Sequence, residues 1–480
     1  MFKLKKNIDS LSISIIFCLL FNVTYIFINP KSRDNYQKLG YSLKLSNLNQ
    51  YFLLNLSCIG ILVIIYISIK QIFTKNRIFR KNMQKLFSRN FLIILLAIPF
   101  TLPLIMNRFS SNPLSLIYKL FRISNEPNLP FRDLIFLLNS IKSFEFNGKN
   151  IVFINTGEIT TAYNYPINLL HLNFLGTLLD HPIAFYLLFS VFFVFGIISL
   201  ANNNFNIFIL SLFIFSGSTF LIFERGNTEL LILPLIVLSV NFLGRSFAAF
   251  FVSTMFIYLA CQLKLHPIFL LVYVFLFLTK NWYQKSISGL FFIIGFFEAV
   301  RDVQVIGLSN ISFGFAATFG FKPSIAILTG NQDVSPLHFN LNIATLFCIF
   351  QIILVSYLSY RKNYSLNQST MNGQLAFRSR LLFIFGSIML IISWISTSSY
   401  AYRLLLFLLC IPYLSLKFKS NTNLGIWLIT LFLVACNTFP LSLTPIRLTV
   451  VQLGVSVLLG ILFYELKQDF IQTRIASGDN

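Results

Sequence analysis

The stretch Glu224–Pro267 reads ERGNTELLILPLIVLSVNFLGRSFAAFFVSTMFIYLACQLKLHP. Two apolar runs, Leu230 to Gly244 and Phe247 to Leu263, are joined by the turn Gly244-Arg245-Ser246 and flanked by two polar knots. The first knot is Glu224-Arg225-Gly226-Asn227, with Glu229 after it; the second is Lys264-Leu265-His266-Pro267. If each run crosses a bilayer once, both knots emerge on one side. Ionisable groups held at a bundle face are expensive to place there, so they mark chemistry or binding.

The rest of the 480-residue chain repeats this pattern. It is 56% hydrophobic and only 11% charged, with a mean hydropathy of +0.76. A water-solvated domain cannot hide that much apolar surface. Apolar runs recur at about the length a helix needs to span a bilayer, without the period-2 alternation of a membrane β-barrel. The expected fold is all-α: a polytopic membrane bundle of about fourteen transmembrane helices. The apolar runs begin at Leu11, Tyr51, Phe91, Ile183, Phe205, Leu230, Phe247, Ile268, Ile287, Leu341, Leu381, Leu404, Leu424 and Leu448. The sixth, eighth and ninth are short, which suggests broken or re-entrant helices.

Three regions are expected: a two-helix extension with a basic cytoplasmic loop over 1–90, a catalytic core over 91–300, and a C-terminal helical region over 301–480. The core includes a non-spanning outer segment, 107–180, after the third helix. Its charges alternate with apolar residues at helical spacing between Pro113 and Phe146, as in an interfacial helix.

The formal charge of +22 reads as the positive-inside bias and attraction to anionic lipid, with no nucleic acid implied. Lys75, Arg77, Arg80, Lys81, Lys85 and Arg89 form the strongest cytoplasmic marker. Of 15 acidic residues only Asp9, Glu465, Asp469 and Asp479 fall inside, so the acids gather on the outer face. The six cysteines lie in or beside apolar runs without CxxC spacing, which reads as buried thiols and not metal ligands. No cleavable signal is evident, and the chain reads as an integral, multi-pass protein of a bacterial plasma membrane.

The layout brings Asp133, Tyr165, both knots, Arg301-Asp302, Lys322, His338, Tyr400, Tyr402 and Arg403 to the outer side. Arginine forks onto phosphate oxygens and lysine acts as a point charge, while a carboxylate can take a proton from an attacking hydroxyl. Such parts suit transfer of a group from a lipid phosphate to an alcohol. Each residue also has a plainer reading. Asp133 can be a solvated charge on an interfacial helix, Glu224 and Arg225 an ion pair, and Gly226-Asn227 an ordinary turn. Lys264 can snorkel, His266 can be a packed histidine, Arg301 and Asp302 can pair, and Arg403 can be an interfacial anchor.

The order of features resembles the GT-C superfamily of membrane glycosyltransferases, and within it the glycosyltransferase 87 family of polyprenyl-phosphate-mannose-dependent mannosyltransferases. The matching pieces are Asp133 in the first large outer loop, Tyr165-Pro166, Arg225-Gly226-Asn227, Lys264 near Pro267, and Tyr402-Arg403, all between about Phe91 and Leu416. Arg225 and Ile167 stand where the family usually has Gln and a second Pro, and two apolar runs precede the part that matches its first helix. The resemblance implies an inverting transfer of a hexose, such as mannose, from a polyprenyl-phosphate sugar to a lipid or glycan acceptor. Asp133 would be the base, with Asp34 as its competitor. Arg225, Lys264 and Arg403 would hold the leaving phosphate. Beside what the resemblance implies, Glu224, Asn227, His266 and Tyr165 are the other candidates for the substrate site on the outer side. The resemblance implies no cofactor and no metal. The competing readings are a flippase of lipid-linked sugars and a polysaccharide polymerase or ligase.

Overall fold

The structure, a computed structural model, describes residues 9–28, 48–75, 87–108, 131–142, 153–155, 160–162, 166–244, 246–306, 318–319, 324, 343–365, 373–396, 399–417, 423–437 and 444–477. These residues are overwhelmingly helical. The strands among them are two short antiparallel pairs: Phe153–Asn155 (β1) with Thr160–Ala162 (β2), and Thr318–Phe319 (β3) with Ser399–Tyr400 (β4). The second pair matches Thr318 to Tyr400 and ties Thr318–Phe319 to the turn that precedes Arg403.

Over the described residues, every apolar run named above falls on a helix. Among the described residues five helices are long and apolar enough to cross a membrane: Ser10–Ile28, Phe52–Gln71, Pro182–Leu200, Gln374–Ile395 and Pro445–Gln472. At 1.5 Å per residue, a 19-residue helix such as Pro182–Leu200 reaches about 28 Å, close to the hydrocarbon thickness. Its outward positions Ile183, Leu187, Leu188, Val191, Phe192 and Phe195 are exposed. Such a continuous apolar face on a folded chain suits contact with lipid.

Two expectations about helix breaks are corrected. The run from Phe205, read as continuous, is two helices, Asn204–Ile214 (α1) and Gly217–Arg225 (α2), meeting at a 62° bend. The bend is tolerated because the freed polar groups find partners: Thr219 Oγ1 donates to the Phe213 carbonyl at 2.8 Å, and Gly217 N donates to Asn437 Oδ1 at 3.2 Å. Conversely, the ninth run, read as short, is the middle of a 25-residue helix, Trp282–Ile306. Polar residues at both of its ends hid its length. The eighth run is irregular as expected: Ile268–Tyr273 passes into a π-turn at Val274–Leu278.

Close helix packing rests on small residues, as it does where lipid offers no hydrophobic drive for association. Gly460 on Thr444–Ser477 lies so near Ile343–Ser365 that a Cβ would collide with the Ser356 carbonyl. A Cβ on Gly386 would sit 2.8 Å from Leu409 Cβ, which seats the 3₁₀ helix Ala401–Cys410 directly on Gln374–Ser396. Buried amides join Ser10–Ile28 to Ile343–Ser365 and Thr444–Ser477: Asn22 and Gln351 exchange two hydrogen bonds at 3.0 and 2.8 Å, and Gln452 donates to Gln351 at 3.3 Å.

The chain direction sorts the polar clusters to opposite ends. Arg225 and Lys264 end α2 and Phe247–Leu263, and Arg403 begins the 3₁₀ helix. At the other end, Arg380 binds Glu465 and Asp469 at 2.7 and 2.8 Å, Tyr273 donates to Asp469 at 2.8 Å, and Asp9 pairs with Lys362.

Candidate functional site

The site begins at the α2 terminus. Its carbonyls are closed by a two-bond cap: Gly226 N donates to Phe223 O at 3.2 Å and Asn227 N to Ile222 O at 3.4 Å. The cap needs a residue with positive φ, and Gly226 supplies φ 61°. Asn227 then starts the next helix, Glu229–Phe242, by accepting from Glu229 N at 3.1 Å through Oδ1. Its other amide end points back: Nδ2 donates to Asp133 Oδ2 at 2.7 Å.

Asp133 lies in the first turn of Arg132–Lys142, where a negative charge meets the positive end of the helix dipole. Three features hold that turn in place, two against the end of α2 and one, the Tyr186 contact, against Pro182–Leu200. Phe131 N donates to the Glu224 carbonyl at 2.6 Å. The Phe131 ring packs on Tyr186 at 4.4 Å between centroids. Leu134 sits where a Gly226 Cβ would lie 3.1 Å from its own Cβ. Phe131 takes φ 64°, a strained conformation for a bulky residue that costs roughly 1–3 kcal/mol and persists only where its surroundings fix it.

The charged groups then interlock. Arg225 Nη1 lies 3.5 Å from Asp133 Oδ1, and its Nε lies 3.7 Å from Glu224 Oε2. Arg403 Nε donates to Glu229 Oε1 at 3.0 Å. The remaining Glu229 oxygen faces His266 Nε2 at 3.8 Å, and neither atom has a hydrogen-bond partner among the described residues. Lys264 is buried and feels Arg403, Glu229 and Asp133. Burial, then the Arg403 charge, push its ammonium down to about 7, although Glu229 and Asp133 oppose this. Burial, then Arg403 and Lys264, push the His266 imidazole well below its ordinary value, so it is neutral near pH 7. Asp133 and Arg225 are the open members, their side chains 22% and 25% exposed, against 2% for Glu229.

Seven positions predicted for the site, Asp133, Glu224, Arg225, Asn227, Lys264, His266 and Arg403, are therefore brought into one cluster. Tyr165 and the competing base Asp34 lie outside the described residues, as do Lys322 and His338. Arg301 and Asp302 do pair, at 3.2 Å, on the last turns of Trp282–Ile306. Sequence reasoning does not single out Glu229, which orders Arg403, because an acid beside a turn is common. It also passes over Glu298, although an acid inside an apolar run is itself a signal.

A comparison with known proteins gives no relative: no protein-family model matches the sequence, and neither curated proteins nor solved structures give a match.

Proposed function

We propose that the chain is a multi-pass membrane transferase that moves a hexose from a polyprenyl-phosphate sugar to a lipid or glycan hydroxyl. The observation that carries this reading is the 2.7 Å bond from Asn227 to Asp133, within a cluster that also holds Arg225, Lys264 and Arg403. It sets a partly open carboxylate beside cations.

In this reading the apolar helices make about fourteen crossings, and the cluster faces the non-cytoplasmic side of a bacterial plasma membrane. The lipid phosphate lies against Arg225 and Lys264. Arg403, held by Glu229, adds positive potential from behind. Asp133 takes the proton of the acceptor hydroxyl while that oxygen forms a bond to the anomeric carbon. The bond from that carbon to the phosphate oxygen breaks, and the polyprenyl phosphate leaves with its charge stabilised by the fixed cations. Inversion at the anomeric carbon follows from the single displacement. Asn227 keeps the Asp133 oxygen aimed, and Phe131 and Gly226 fix the backbone that carries it. The donor is already activated, so the reaction draws on no nucleotide.

The test supplies radiolabelled polyprenyl-phosphate hexoses to membranes with and without the protein and identifies the labelled product. The reading predicts protein-dependent label in a lipid or glycan. Movement of intact donor across the bilayer without transfer contradicts it and favours a flippase.

A further inference from the structure

The outer segment ends in Ile167–Asp180, a 3₁₀ stretch that the transfer step leaves unused. Both of its ends are tied down. At the start, Asn168 Nδ2 donates to Gln262 Oε1 at 2.7 Å and to Glu298 Oε1 at 2.8 Å. Arg301 donates to Asn168 Oδ1 at 2.7 Å, and Ile167 N donates to Asp302 Oδ2 at 3.3 Å. At the other end, Asp180 pairs with Lys142 at 2.5 Å, and His181 N donates to the Leu178 carbonyl at 3.1 Å. Leu169, Leu170 and Leu179 are buried. Between the two ties stands an apolar tip. Phe174 is 76% exposed and Leu178 57%. Gly176 between them takes φ 53° and ψ −122°, the backbone of the first central residue in a type II′ turn, which favours glycine. A Cβ there would meet nothing within 4 Å, so the chain reverses at an open, projecting point.

From this tip we infer that Ile167–Asp180 is a monotopic membrane anchor, with Phe174 and Leu178 inserted into the leaflet on the side of the cation cluster. The inference needs only that the chain spans a bilayer, and it stands or falls apart from sugar transfer.

Position names lipid as the occupant. Asp180 stands two residues before Pro182, where the membrane-length helix Pro182–Leu200 begins, so the tip lies at the edge of the bilayer. Exposed apolar residues run on from Phe174 and Leu178 to Ile183, Leu187, Leu188 and Val191 of that helix. The tip therefore continues a surface that already suits lipid. Composition agrees. An aromatic ring is favoured at the membrane–water boundary, and an interfacial element buries its apolar side about 5–10 Å deep. The polar residues fit the same depth: the Lys142–Asp180 pair has side chains 55% and 48% exposed, and His171 and His181 are exposed beside it, as suits the headgroup level. Because the segment is fixed at both ends, insertion orders little more of it. The helix that carries Asp133 packs on this segment, so an inserted tip holds the charged cluster near the level of lipid headgroups.

The test uses the full chain in phosphatidylcholine nanodiscs, with the lipid unbrominated, brominated near the headgroup end of its acyl chains, or brominated near their methyl end. The probe is Phe174→Trp, read against the parent, whose three tryptophans supply the background emission. The inference predicts that the added emission falls by about half or more with the shallow bromines, falls less with the deep ones, and responds weakly to iodide in the water. Leu178→Trp should behave alike, and it decides if Phe174→Trp melts well below the parent. Quenching by iodide without quenching by bromine overturns the anchor, since the tip then stands in water. Emission that neither quencher reaches also overturns it, since the tip is then covered by protein, a second copy of the chain included. Strongest quenching by the deep bromines overturns it too, because the segment would then lie within the hydrocarbon. Quenching as predicted, together with no transfer of labelled sugar, would sink the transfer reading and leave the anchor in place.

Discussion

At the residue scale the account turns on Gly226 and Lys264. Gly226→Ala would place a side chain on a left-handed backbone and push its Cβ to 3.1 Å from Leu134. A cost of roughly 1–3 kcal/mol is expected, and Asp133 would move with the displaced helix. A lower melting temperature and a larger loss of transfer, measured on the same preparation, would bear this out; parent-like values for both would not. Lys264 sets a pH dependence. Its ammonium titrates near 7 in the folded chain against 10.5 when unperturbed. Between those values the unfolded chain binds the extra proton, so stability rises with pH across that window. The penalty of the buried charge is fully present only below it. Anion binding has the opposite slope. A polyprenyl phosphodiester keeps its single charge throughout, so its affinity should weaken from pH 7 to 9, by up to about tenfold per unit. His266 stays neutral there, and Arg403, Glu229 and Asp133 are the other charges that face Lys264. Isothermal titration at several pH values checks this, and a flat profile would remove Lys264 from the phosphate site.

At the scale of elements, what joins the helices differs between the two ends. Arg380 on Gln374–Ser396 reaches Glu465 and Asp469 on Thr444–Ser477, and Tyr413 and Tyr273 donate to the same carboxylates. Arg380→Ala would strand two buried carboxylates, for which about 3–5 kcal/mol of destabilisation is expected. Chemical denaturation should show this loss while donor affinity at the far end stays near the parent's. The helices themselves are legible in the sequence, since apolar length marks them directly. The ordering of Asp133 beside Asn227 is legible only as a shared side. The bend at Phe215-Ser216 is not legible: one partner that satisfies it, Asn437, lies 220 residues away. The full length of Trp282–Ile306 is hidden for a local reason, because Gln284 and Lys285 before the apolar run and Arg301 and Asp302 after it end the apolar pattern without ending the helix.

For the whole molecule, the fold serves to bring four distant parts of the chain to one end. Asp133 comes from the segment after the third apolar run, Arg225 and Lys264 from successive hairpins, and Arg403 from the C-terminal region. No single motif carries the chemistry, which is why spacing along the sequence is a weak guide to it and sidedness a better one. The central claim is that Asp133 is the base of a transfer made at this mouth. The most direct measurement compares Asp133→Asn with the parent protein for both donor binding and turnover. The account predicts donor affinity near the parent's with turnover lower by about 10²–10⁴-fold, the usual contribution of a positioned base. Turnover equal to the parent's would contradict it.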